Sequence, residues 1–213
     1  MTADPVLLLT LHGVRLLGFT TPQKIAALYA LDPNEVSEHL LDAEAFGWAR
    51  RTSFGGDQGW SLTDAGRARN EALLAAELDA TGARESVVDA HTAFLPLNDR
   101  LGPLMTRWQL RPTAADPMAA NDHRDAAHDD RVVRGLGRLV ADLRPVTAQL
   151  TATLPRFGLH QRRLEDALLR VRSLENAWVD SPDLPSLNLV WIQLHEDLLA
   201  TLGIPRGAED SSR

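Results

Sequence analysis

The chain has 213 residues, of which 44% are hydrophobic and 24% charged, no cysteine, and a formal net charge of −7. That is apolar material for one large or two small cores. It excludes disulfides and cysteine-ligated metals, and it disfavours a broadly basic nucleic-acid-binding surface. The longest apolar run, residues 6–17, is interrupted by Thr10, His12 and Arg15, so no membrane span is expected. The opening Met1-Thr2-Ala3-Asp4-Pro5 lacks the basic stretch of a signal peptide. With the lack of cysteine, this points to the cytoplasm. The charge is uneven: residues 1–80 hold 6 basic and 11 acidic side chains, 6 − 11 = −5, which leaves −2 for the rest.

Residues 6–17 predict a first helix, with Pro5 suited to its first turn and Gly18 ending it. It is apolar on nearly every side, which calls for burial between layers or at a dimer interface. Thr21-Pro22 is a cap followed by a residue with its φ preset, and predicts a short second helix, 22–30. Asp32-Pro33, with Glu35 at capping-box spacing, starts a third helix at once, with Val36, Leu40, Ala43 and Phe46 or Gly47 inward and Gly47 as its stop. Two helices joined by a tight turn form a helix-turn-helix pattern. Residues 48–54 are rich in strand formers, 55–59 form a glycine-rich tip, and 60–62 return, predicting a β-hairpin. Thr63 then caps a helix running to about residue 80.

At this point the run "GWARRTSFGGDQGWSLTDAGRAR" resembles the wing and following helix of the MarR and PadR regulators, above all in Leu62-Thr63-Asp64-Ala65-Gly66-Arg67. The resemblance covers about a third of the chain. It implies a winged helix-turn-helix in a dimeric transcription regulator, with its third helix in the major groove of double-stranded DNA and its wing beside the backbone. The candidate DNA contacts are Lys24 on the second helix, Asn34, Ser37 and His39 on the third, and Arg50, Arg51, Gln58 and Arg67 on or behind the wing. The same third helix exposes Glu35, Glu38, Asp42 and Glu44, which phosphates repel. An alternative is therefore a winged-helix adaptor that holds a protein partner and does not bind DNA.

The rest of the chain is expected to be helical: residues 84–110 as a long helix or a kinked pair, with a kink or restart at Pro96, a loose stretch 111–130, and helices over 131–153, 159–179 and 188–202. The expected organisation is a winged helix over 1–80, a helical dimerisation or effector domain over 81–205, and a disordered tail over 206–213. Pieces such as "FLPLNDRL", "NDHRDAAHDD" and "WIQLHEDLLATLGI" resemble the helical half of actinobacterial MarR-like regulators. That resemblance also carries an association with phosphoenolpyruvate-utilising phosphotransfer enzymes, so an accessory role for such an enzyme is a further reading.

No phosphate-binding glycine loop, nucleophile elbow, His-Glu-X-X-His or cysteine nucleophile is present, so no enzyme and no cofactor are expected. The His and Asp residues of 121–130 read as helix caps and a solvated face rather than metal ligands. Asn98, Arg107, Trp108, His123, Trp191 and His195 are the groups to examine for a small-molecule effector pocket, set against ordinary core packing of the aromatic residues. The breadth of the apolar face on the first helix predicts a homodimer.

Overall fold

In a computed structural model of the chain, which describes residues 4–54 and 56–205, helix α1 spans Pro5–Leu17. Asp4 caps it, its carboxylate accepting from the Val6 and Leu7 backbone N–H groups. Helix α2 (Pro22–Tyr29) begins at Thr21, whose side chain accepts from Lys24 N–H, and ends at Ala30 in the left-handed region. Helix α3 (Pro33–Ala45) begins at Asp32, which accepts from Asn34 N–H. Each cap satisfies donors that a helix start leaves unpaired.

Strands β1 (Ala49–Phe54) and β2 (Asp57–Leu62) pair antiparallel, with Ala49 opposite Leu62 and Phe54 opposite Asp57. The strands therefore extend through 57–59, which the sequence reading assigns to the tip. The turn is tighter, and Gly56 takes the positive φ of 93° that it needs. Gly55 of the expected tip lies outside the described residues. Thr20 joins as a one-residue bridge, exchanging both backbone hydrogen bonds with Trp60 at 2.7 and 3.0 Å. Helix α4 (Asp64–Thr81) follows.

The motif residues after the hairpin have a structural reason. Thr63 accepts from Gly66 N–H at 3.0 Å, and its hydroxyl donates to the Gly47 carbonyl at 2.6 Å. The Thr63 N–H donates to the Trp48 carbonyl. A side chain at Gly66 would collide with that same carbonyl, so α4 can start against the base of the hairpin only with glycine there.

The chain divides into two compact units, one of Met1–Glu85 with His195–Arg213 and one of Ser86–Leu194. The division falls inside α5 (Arg84–Gln109) and α8 (Leu187–Leu202). In the first unit, Leu8, Leu11 and Val14 of α1 pack with Ile25, Val36, Leu40, Trp60 and Leu74, and Ala200 of α8 joins this core. The breadth of α1 is thereby covered within one chain: Thr10, Leu11, His12, Gly13 and Val14 are all buried.

The second unit holds most of α5, then α6 (Ala126–Thr153), α7 (Gly158–Arg172) and the start of α8. Pro96 does not restart α5; the helix runs through both Pro96 and Pro103, because each proline removes only one donor while Phe94, Leu101 and Met105 keep the helix buried. Helix α6 starts at Ala126, earlier than residue 131, since Asp125 caps it by accepting from His128 N–H. Helix α7 stops at Arg172, well short of 179, because Leu174 turns into the left-handed region at φ 68°. A 3-10 turn, Asn176–Trp178, follows, and Ser186 accepts from Leu189 N–H at the start of α8. Residues 206–213, expected to form the tail, lie outside those described. No helix among the described residues is long and apolar enough to cross a membrane.

Candidate functional site

Helix α3 buries Val36, Leu40 and Ala43, so its opposite face is free. Asn34, Glu35, Glu38, Leu41 and Asp42 are exposed on it, and Ser37 is half-buried at its edge. Asn34, Ser37 and Leu41 follow one another along a single row. His39 is off that row, its Nε2 lying 3.6 Å from the Asp4 carboxylate that caps α1.

The hairpin presents Arg50, Arg51 and Gln58, all exposed. Arg50 donates from Nε to Ser61 Oγ at 3.3 Å. Arg51 is held at both sides: its guanidinium reaches Glu44 of α3 at 3.5 Å and lies 4.8 Å from the centre of the Trp60 ring. Arg69 stacks over Trp48 at 5.0 Å, and Trp48 stacks on Phe46 at 4.7 Å. Phe46, a position expected to face inward, is 66% exposed, because α3 ends at it and the side chain leaves the buried row of Val36, Leu40 and Ala43. Lys24 and Arg67 are exposed at the surface. The surface formed by α3 and the hairpin thus mixes carboxylates, tethered arginines and the exposed apolar side chains Leu41 and Phe46. The Glu44–Arg51 and Arg69–Trp48 ties were not visible in the sequence, because each links residues on different elements.

The first unit also holds a buried polar cluster. His12 Nε2 lies 2.9 Å from Asp197 Oδ1, with both side chains buried. Asp197 also accepts from the Thr201 hydroxyl at 3.2 Å, and His12 Nδ1 lies 3.3 Å from Asn70 Oδ1. Arg15 donates to Glu196 and to Glu71, each at 2.8 Å. Burial works to lower the Arg15 guanidinium, but the hydrogen bonds to Glu196 and Glu71 outweigh it and raise the group above its ordinary value. Of the three polar residues that interrupt α1, His12 and Arg15 are therefore matched by polar residues of α8, while the buried Thr10 hydroxyl has no hydrogen-bond partner among the described residues.

Four of the effector candidates form packed pairs. Asn98 accepts from the Trp191 indole N–H at 3.0 Å, and Trp191 packs against Phe94 with ring centres 5.4 Å apart. Trp108 packs on His123 at 4.4 Å, His123 Nδ1 reaches Asp129 at 3.0 Å, and the buried Asn121 amide donates to the Trp108 carbonyl and to Asp129. His195 belongs to the first unit. Arg107 lines open space, in two cavities between α5 and α6. Asp125 acts as a cap, as its spacing implied; the His128 N–H bond holds its carboxyl below the ordinary range, with Arg111 and Arg131 adding to the effect. Asn121 instead ties the 111–125 segment to the end of α5. Among the described residues, no group of three or more His, Asp or Glu is placed to hold a metal ion.

No family model, curated protein or solved structure matches this chain significantly.

Proposed function

We propose that the first unit is a winged helix-turn-helix and that the chain is a cytoplasmic, DNA-binding transcription regulator acting as a homodimer. The observation that carries this reading is the order and packing of α2, α3 and the hairpin. Two capped helices meet at a tight turn, the second keeps one face free, and an antiparallel hairpin bridged to Thr20 stands beside it. Asn34 and Ser37 would reach bases or phosphates from α3, while Lys24, Arg50, Gln58 and Arg67 would hold the backbone. The helical second unit would receive a signal. The covered α1 removes one argument for a second copy, so the dimer rests on the need of such regulators to read two half-sites.

The electrostatics set the expected strength. Glu35, Glu38 and Asp42 on the presented face repel phosphate, and Arg51 is already engaged by Glu44. Binding should therefore be weak and should fall steeply with salt. Fluorescence anisotropy with duplexes from the gene's own upstream region, at low and moderate salt, tests this. Saturable binding at low salt that is lost in Arg50→Ala supports the regulator; no binding at low salt removes it.

A second reading is an adaptor that docks a protein on this surface. The exposed Leu41 and Phe46, rimmed by carboxylates, favour it. Its partner would carry a basic, partly apolar face, and Phe46→Ser would release that partner while leaving any DNA affinity intact.

A further inference from the structure

The second unit is electrically balanced, with 13 arginines and no lysine against 13 carboxylates. Several of the arginines are neutralised where they stand: Arg111 by Asp125 at 2.7 Å, Arg134 by Asp130, Arg144 by Glu165, Arg170 by Glu175. Among the described residues, Arg162 and Arg172 have no such partner within 4.0 Å, and nor do Arg107, Arg131 and Arg138, which lie together. The last three line the groove between α5 and α6, where two cavities of about 300 and 360 Å³ share Leu104 and Arg107.

The groove has an apolar floor and a basic rim. Leu104 lies across Gly135, where an added Cβ would stand 2.6 Å from a Leu104 methyl group. The lack of a side chain at Gly135 is what lets Leu104 settle into the floor. Arg131 and Arg138 are two turns apart on α6, about 10 Å along the helix, and Arg107 faces them from α5. The Arg107 position is braced, because His128 Nε2–H donates to its carbonyl at 2.8 Å. Arg100 closes one end but is paired with Asp142 at 2.7 Å, and Asp99 stands near it, so that end is the least attractive to an anion.

Three like charges gathered along one groove in a neutral unit repel one another, and nothing within the unit offsets them by direct pairing. An anionic guest would. We infer that this groove is a binding site for a small organic anion with at least two negative charges, carboxylate or phosphate, whose apolar body lies over Leu104 and Gly135. The planar guanidinium forks suit bidentate capture of either group, and the volume suits a small ligand rather than a macromolecule. This inference stands apart from the DNA-binding proposal.

The test is isothermal titration of the full chain at low salt with suberate, an eight-carbon dicarboxylate, and with pyrophosphate, using acetate as a single-charge control. One-to-one saturation by either dianion, with none by acetate, is expected; which dianion binds tells a carboxylate from a phosphate ligand. Arg107→Gln and Arg131→Gln should each weaken binding by about tenfold. Arg162→Gln, outside the groove, should leave it unchanged. Gly135→Ala keeps every charge but forces Leu104 up into the groove, and should weaken binding while circular dichroism shows the helices retained. No saturation by about 5 mM of either dianion, equal affinity in Arg107→Gln and Arg131→Gln, or an equal loss in Arg162→Gln overturns the inference.

Discussion

The two units of this chain treat charge in opposite ways. The first holds 9 basic and 16 acidic side chains, 9 − 16 = −7, so it carries the whole net charge of the protein. Its decisive polar contacts are nonetheless withdrawn from the surface, His12 with Asp197 buried and Arg15 with Glu196 half-buried. The second unit is neutral and displays its ion pairs at the surface, as with Arg134–Asp130 and Arg100–Asp142. The difference teaches where charge governs stability. A buried pair has been taken out of water, and loss of one partner leaves the other uncompensated; an exposed pair returns to water at little cost.

The sharpest way to break that contrast is Asp197→Ala. It strands His12 in the core of the first unit, with Thr201 losing its acceptor, and should cost about 3–5 kcal/mol in urea unfolding. A loss below about 1 kcal/mol would place the pair with the surface ion pairs. Next comes Gly66→Ala. The added methyl meets the Trp48 carbonyl, which is backbone and has no rotamer to change, so α4 or the hairpin base must move, at about 1–3 kcal/mol. A stabilised variant, as ordinary helix propensity alone would give, would show that the close approach relaxes freely. Thr63→Ala removes the cap of α4 and its bond to the Gly47 carbonyl, with an expected loss of about 1 kcal/mol. In the second unit, Arg134→Ala should change the unfolding midpoint by no more than about 0.5 kcal/mol, since both members of that helical pair are largely exposed.

The smallest effect is a pH dependence. Glu165 accepts from the Gln161 amide and from Arg144, and these hold its carboxyl below the ordinary value. A depressed folded-state pKa means the unfolded chain takes up its proton first as pH falls. The linked stability is therefore complete above the unfolded value of about 4.3 and disappears as pH falls through the lower folded value. Urea midpoints of the parent protein and Glu165→Gln should differ near neutral pH and converge in acid. A constant difference would detach Glu165 from the acid response. The exposure of both partners keeps the whole effect small.

Much of the architecture was legible in the chain. Thr21, Asp32 and Thr63 cap the helices that their spacing announced, and the hairpin falls between Gly47 and Thr63 as its strand formers require. The errors have local causes. Pro96 could not show, from its own neighbours, that the burial of Phe94 and Leu101 would carry α5 through it. The stop of α7 depends on Leu174 taking a conformation that a leucine seldom adopts. The candidate surface was legible only in part. The exposure of Asn34, Glu38 and Arg50 followed from periodicity, whereas the capture of Arg51 by Glu44 and Trp60 did not. The arginines of the α5–α6 groove were readable as pairs seven residues apart, 100 with 107 and 131 with 138, but not as neighbours across two helices.

Sequence by itself determined the starts of the first four helices, the hairpin and the acidic face of α3, because caps, turns and periodic faces depend on atoms only a few residues apart. Tertiary structure alone decided that His12 meets Asp197 across 185 residues, and that the end of α8 belongs with the first unit. Buried polar groups must find partners wherever the folded path brings them, and no local rule states where that is.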